Sequence, residues 1–144
     1  TDYIFDGESD KPYIEIDTPN PINVYGKTKL AGELAIQNEM PTNAIIIRTS
    51  WVYSDYGNNF VSTMLRLGKE QNELNIVSDQ IGSPTYALDL AGVILNIILN
   101  KKFKNNSHLT KIYHYSYEGN ISWYDFAKAI FKLSKLNCIV KPIT

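Results

Sequence analysis

The sequence predicts an α/β fold with parallel strand pairing. Three observations carry this. Strand-like and helix-like segments alternate along the chain. Ala44-Ile45-Ile46-Ile47 is an unbroken apolar run, the pattern of a strand covered on both faces, as in a parallel sheet. Asp89 to Asn100 reads as a helix with little polar face: Leu90, Ala91, Val93, Ile94, Leu95, Ile97, Ile98 and Leu99 are all apolar.

The remaining elements follow in order. Tyr3-Ile4-Phe5 reads as a short strand closed by the turn dipeptide Asp6-Gly7. Glu8 to Asn23 is polar, holds Pro12, Pro19 and Pro21, and reads as a surface loop. From Val24 to Glu39 there is no proline; Leu30, Ala31, Leu34 and Ala35 form a helical stripe, and Pro41 ends it. Asn58 or Asn59 caps a helix carrying Phe60, Met64 and Leu67. Leu74 to Val77 is a strand and Ser78 to Pro84 a loop. Lys101 to Thr110 is a polar connector, and its run Lys101-Lys102-Phe103-Lys104 reads as solvated loop. Ile112 to Tyr115 is a strand. Ser122, with Asp125 three residues on, opens a helix whose buried face is Trp123, Ala127, Ile130 and Phe131. Cys138-Ile139-Val140 begins a last strand.

Composition excludes several classes. Fourteen Lys and Arg stand against fifteen Asp and Glu, a net charge of −1, which argues against a generally basic nucleic-acid binder. The single cysteine, Cys138, permits no intramolecular disulfide and no zinc site of several Cys. His108 and His114 are the only histidines, too few for a His-rich metal site, and His114 reads as a satisfied core residue. No apolar run reaches 18 residues, so no membrane association is expected and the expected compartment is the cytoplasm. Opening without Met on a strand-like run and closing beside another apolar run, the chain is expected to be part of a longer protein.

The chemistry concentrates at Tyr25-Gly26-Lys27-Thr28-Lys29. Tyr25 and Lys29 are four apart, which on a helix places them on one face, one turn apart. An ammonium close to a phenol favours the phenolate, and a tuned phenol can donate a proton to a developing alkoxide. Such a pair suits carbonyl–alcohol interconversion with a nicotinamide cofactor. The spacing alone is also that of an ordinary surface pair.

The surroundings narrow it. Pro21-Ile22-Asn23-Val24-Tyr25-Gly26-Lys27-Thr28-Lys29-Leu30-Ala31-Gly32-Glu33 resembles the YxxxK segment of the extended short-chain dehydrogenases/reductases, in which Gly26, Lys29 and Glu33 have counterparts. Thr1-Asp2-Tyr3-Ile4-Phe5-Asp6-Gly7, Arg48-Thr49-Ser50-Trp51-Val52-Tyr53, Asn59 to Leu65, Asp79 to Thr85 and Ser122 to Ala127 resemble, in order, segments of the dTDP-4-dehydrorhamnose reductase family. These matches span nearly the whole chain.

The resemblance implies a partial Rossmann-like parallel sheet, its carboxyl-terminal part, with a substrate-binding α/β subdomain over residues 1–144. It implies NADPH- or NADH-dependent reduction of the 4-keto group of dTDP-4-dehydro-L-rhamnose by the parent protein. Thr1 matches the hydroxyl that hydrogen-bonds the substrate carbonyl, Tyr25 the proton donor, and Lys29 the residue that holds the cofactor ribose and tunes the tyrosine. Thr1, Asp2 and Trp51 match positions that contact the deoxysugar nucleotide. Gln80, Pro84 and Thr85 are expected either to line the substrate cleft or to shape a turn. Trp123 reads as core, and Tyr53 and Tyr56 as exposed aromatics. No residue is assigned to a metal, and whether an interface metal exists stays open.

One departure matters. The family holds its cofactor through a GxGxxG turn after the first strand, and the glycines here never take that spacing. The isolated chain is therefore expected neither to hold a dinucleotide tightly nor to turn over substrate. Its uncovered sheet edge is expected to invite self-association, a homodimer included. Another nucleotide-sugar epimerase or dehydratase of the extended family, and a non-catalytic regulatory relative, are the competing readings.

Overall fold

The computed structural model describes residues 1–100 and 109–144. The expectations for the basic run Lys101–Lys104 and for His108 fall outside them. The described residues form two compact units, one of residues 1–50 and 92–115, the other of residues 51–91 and 116–144.

The first unit opens with a correction. Asp2–Ile4 is a turn of 3₁₀ helix, not a strand. Its ends explain why: the Thr1 side chain accepts from the Tyr3 amide, and the Phe5 amide bonds back to the Asp2 carbonyl at 3.0 Å. Helix α1 runs Val24–Glu39, capped by Asn23, whose side chain accepts from the Gly26 amide at 2.7 Å. Strand β1 (Ile45–Arg48) pairs in parallel with β6 (Lys111–His114), Ile45 opposite Lys111 and Arg48 opposite His114. Ile46 and Arg48 are buried and Ile45 and Ile47 half-buried, so β1 is covered more fully on one face than on the other.

The apolar stripe of α1 is largely uncovered by the described residues: Leu30 is half-buried, and Ala31, Leu34 and Ala35 are exposed. Leu34 and Ile36 are exposed, and the only buried residues of the helix are Gly26 and Glu33. The segment 8–23 is more than a solvated loop. Tyr13 stacks on Phe5 with centroids 4.2 Å apart, the Asn20 amide bonds to the Ile4 carbonyl at 2.8 Å, and Glu15 accepts from the His114 amide at 2.8 Å.

The second unit holds the larger apolar core. Helix α2 (Phe60–Glu70) is capped by Asn59, the second of the two candidates, through a reciprocal capping box with Ser62. Helix α4 (Trp123–Ser134) starts at Ser122, whose hydroxyl accepts from the Asp125 amide and donates to the Asp125 carboxylate. Strand β3 (Glu73–Val77) lies parallel to β8 (Ile139–Ile143), with Leu74 opposite Val140. Met64, Leu74, Ala127, Ile130, Phe131 and Cys138 are buried together between them. Gly68 of α2 faces the Phe131 ring so closely that a Cβ would stand 2.6 Å from a ring carbon. Burial pushes the Cys138 thiol up from its ordinary range, in keeping with a packing role.

Four two-residue strands lie below the length at which a period is legible. β2 (Val52–Tyr53) pairs in parallel with β5 (Thr85–Tyr86). β4 (Ile81–Gly82), inside the expected 78–84 loop, pairs with β7 (Ile121–Ser122), and this pair is antiparallel, against the parallel expectation. Helix α3 (Ala87–Leu99) contributes residues to both units. Its apolar surface is not enclosed by the described residues: Leu88, Ile94, Leu95, Ile98 and Leu99 are exposed.

The core of the second unit should respond to truncation as a packed interior does. Phe131→Ala is expected to cost about 3–5 kcal/mol, measured as a shift of the denaturant unfolding midpoint at unchanged slope.

Candidate functional site

The sequence-predicted residues fall into the two units. Thr1, Asp2, Tyr25 and Lys29 are in the first, and Trp51, Gln80, Pro84 and Thr85 in the second.

In the first unit, Tyr25 and Lys29 sit in the first two turns of α1, where the i, i+4 spacing places them side by side. Lys29 Nζ lies 5.5 Å from the centroid of the Tyr25 ring. The Tyr25 ring meets Tyr3 edge to face, centroids 5.7 Å apart at 88°, and is 52% exposed. Thr1 caps the 3₁₀ turn that carries Tyr3. Its hydroxyl accepts from the Tyr3 amide at 3.4 Å and donates to the Asp2 carboxylate at 3.2 Å, two long bonds that hold it loosely. Burial pushes the Asp2 carboxyl up from the ordinary carboxylate range, against the hydrogen bonds it accepts.

What brings the two segments together is Gly26. A Cβ there would overlap the Tyr3 carbonyl oxygen and stand 2.9 Å from Pro21 Cβ. Helix α1 can therefore approach the 3₁₀ turn only with glycine at this position.

Behind Tyr25 and Lys29 lies a polar network whose pairing no local sequence pattern shows. Arg48 Nε donates to both Glu33 carboxylate oxygens at 3.2 and 3.1 Å, and a terminal nitrogen donates to Oε2 at 2.8 Å. Glu33 is 8% exposed and Arg48 5%. The other terminal nitrogen lies 3.4 Å from His114 Nε2. A guanidinium only donates, so Nε2 accepts, and the proton sits on Nδ1, which donates to the Tyr13 carbonyl at 3.2 Å. His114 is thus a satisfied residue, as expected from the sequence. The available signals for the pair were an arginine ending the apolar run Ile45-Ile46-Ile47, and a glutamate one turn beyond Lys29.

The 6–20 segment is organised by Asp6. Its carboxylate accepts from the Tyr13 hydroxyl at 2.6 Å, the Asn20 side chain at 2.9 Å and the Glu8 amide at 3.1 Å. These bonds, Tyr13's first, hold its carboxyl down to about 2.

In the second unit, Trp51 has φ of 46°, in the left-handed region. Its indole lies flat on Trp123, centroids 3.5 Å apart at 9°. Gly82 packs against the same ring, with no room for a Cβ. Phe60 and Phe126 complete an aromatic cluster around Trp123. Trp123 is half-buried in this stack, not enclosed with Ala127, Ile130 and Phe131. Tyr53 is half-buried as well, against Tyr86 and Phe126, so the expectation of an exposed aromatic is corrected; Tyr56 is exposed. Tyr86 also donates to the Asp55 carboxylate.

Gln80 is exposed and Pro84 half-buried. Thr85 is fully enclosed, with its hydroxyl unpaired; its amide donates to the Trp51 carbonyl at 3.2 Å. The described residues contain no group of three or more His, Cys, Asp or Glu placed to hold a metal ion. No helix among them is long and apolar enough to cross a membrane.

Helices between parallel strand pairs, with a tyrosine and lysine one turn apart at the head of α1, define a Rossmann-like α/β protein of the dehydrogenase/reductase type. The RmlD substrate binding domain family matches residues 1–144, and the chain belongs to that family. A dTDP-4-dehydrorhamnose reductase of Sinorhizobium fredii is 47% identical over 133 residues, which cover 92% of this chain and 45% of that protein. A crystal structure of a dTDP-4-dehydrorhamnose reductase from Clostridium acetobutylicum superposes with a TM-score of 0.89 at 45% identity, over 99% of this chain and 48% of the other. The enzyme of the same name from Bacillus anthracis, solved in complex with NADP, gives 0.83 at 45% identity, over 99% and 49%. The chain thus spans about half the length of the relatives it matches.

Two outcomes are expected. Gly26→Ala should separate α1 from the 3₁₀ turn, costing about 1–3 kcal/mol by thermal unfolding and displacing the Tyr25 ring resonances by NMR. Asp6, bound more tightly as the folded carboxylate, stabilises the folded state fully above its ordinary value of 3.8 and loses that effect as pH falls through about 2. The difference in melting temperature between the unaltered protein and Asp6→Ala should hold constant above pH 4 and shrink between 3.8 and 2.

Proposed function

We propose that the whole protein is an NAD(P)H-dependent reductase that converts the 4-keto group of dTDP-4-dehydro-L-rhamnose to the alcohol of dTDP-L-rhamnose. The observation that carries this is the exposed Tyr25 beside Lys29, set against the capped turn of Thr1. The names of the similar proteins support the same substrate, and the NADP complex of one supports the cofactor.

The residues present fit one end of that cofactor. A phenol hydroxyl and an ammonium on the open side of α1 suit the hydroxyls of a ribose, with Lys29 as donor. No GxGxxG turn occurs in these 144 residues, so the pyrophosphate is held by other parts of the protein. When bound, the reduced nicotinamide supplies the hydride to the substrate's carbonyl carbon.

The chain's own groups handle the oxygen. As the C=O π bond breaks, the oxygen gains negative charge. The Thr1 hydroxyl turns from Asp2 to donate to it, and Tyr25 donates its proton through the phenol O–H. Lys29, beside the ring, stabilises the phenolate that remains. Asp2 acts on the sugar nucleotide from next to Thr1. Within the second unit, Trp51 keeps open only the part of its indole that Trp123 and Gly82 leave uncovered, with Gln80 and Pro84 in the loop that holds Gly82. Thr85, being enclosed, supports this surface through its bond to Trp51. The same reading places the protein in the cytoplasm, makes residues 1–144 the end of the dinucleotide fold plus the substrate-binding region, and allows self-association through an open edge of the β1–β6 pair.

Tyr25→Phe in the full-length protein keeps the ring against Tyr3 and removes the proton donor. Turnover, followed by NADPH oxidation with the keto sugar nucleotide, should fall at least ~100-fold with the melting temperature nearly unchanged. Near-normal turnover would overturn the assignment.

A further inference from the structure

We infer that Glu33 and Arg48, backed by His114, form the positioning pair of this site: they set the rotation of α1 about its own axis and so the direction in which Tyr25 and Lys29 point. What that direction is for rests on the reductase reading; the positioning itself does not.

The inference starts from how little of α1 is held. Gly26 and Glu33 are its only buried residues. They are seven apart, hence about 20° apart around the axis and about 10 Å apart along it. Tyr25 stands about 100° round from Gly26, on the exposed side. Rotation of a packed helix is ordinarily set by an apolar stripe. Here Leu34 and Ile36 are exposed and Leu30, on the line between Gly26 and Glu33, is only half-buried, so no fully buried apolar stripe sets it among the described residues.

The two buried points do different work. At Gly26 the bare Cα meets the Tyr3 carbonyl, a contact without hydrogen bonds that sets how closely the helix approaches. At Glu33 a planar carboxylate meets a planar guanidinium through three hydrogen bonds, a geometry with direction.

Arg48 is in turn fixed to the sheet. It is the last residue of β1, opposite His114, and its carbonyl accepts from the Tyr115 amide at 2.9 Å. Its guanidinium lies 5.5 Å from the Phe5 ring centroid and reaches His114 Nε2. His114 is tied by Nδ1 to Tyr13 and by its amide to Glu15. An unbroken chain of contacts therefore runs from the β1–β6 pair to the helix that carries Tyr25. A buried ion pair adds little net stability, because desolvation of the two charges offsets their attraction. Orientation is what this one supplies.

The test uses the full-length protein and the double variant Glu33→Leu/Arg48→Met, which removes both charges together and leaves neither buried alone. The folded variant should lose roughly ten- to a hundredfold in kcat, with KM for the sugar nucleotide changed by no more than about twofold. Its Tyr25 ring resonances, identified by their absence in Tyr25→Phe, should lose the displacement imposed by the edge-on Tyr3 ring. A purely structural pair would lower stability and leave both readouts alone. Should the double variant not fold, Arg48→Lys keeps the charge and loses the fork, and the same two readouts apply. Unaltered kcat and unaltered Tyr25 resonances in a folded variant overturn the inference. If the unaltered protein reduces no keto sugar, the reductase reading falls, and the Tyr25 resonances alone decide the positioning.

Discussion

Helix α1 is held at two points, and the candidate chemistry depends on both. Gly26 admits the Tyr3 carbonyl to the helix surface, and Glu33 binds the Arg48 fork at the end of β1. Tyr25 and Lys29 project from the same helix on its uncovered side. A side chain that must be open to a ligand cannot also be anchored by burial, so its direction has to be set by others. This division, with buried anchors on one line of the helix and the exposed phenol and ammonium on another, is what the local geometry of the first unit expresses.

The same logic recurs in the second unit with different chemistry. Trp51 adopts a left-handed backbone conformation, which carries strain for a bulky residue. The strain persists because the indole is held on both its backbone and its ring: Trp123 stacks on it, Gly82 leaves room for it, and the Thr85 amide bonds to its carbonyl. Gly82 and Thr85 both act on the tryptophan. In both units a glycine is required where a ring or a backbone comes too close for a Cβ.

Not every apolar surface of this chain is closed by the residues described. Most of the stripe of α1 and much of α3 are exposed, while the α2–α4–β3–β8 core is packed around Phe131 and Met64.

Much was legible in the amino-acid sequence. The bounds of α1, a cap at Asn58 or Asn59, the helix starting after Ser122 and the parallel strands β1, β3 and β6 follow from local signals: proline punctuation, capping side chains and apolar runs. The pairing of Tyr25 with Lys29 follows from helical spacing alone. What tertiary structure decided is where groups distant in sequence meet. Tyr3-Ile4-Phe5 has the composition of a strand, yet Thr1 caps it into a 3₁₀ turn, and among the described residues no strand pairs with it. The two-residue strands are too short to show a period, and exist only because each finds a partner 30 or more residues away. Glu33, Arg48 and His114 are unremarkable one by one. Their meaning comes from the burial that joins them, because a charge can be enclosed only where its partner is already in place, and no local pattern can announce a partner 15 or 66 residues distant.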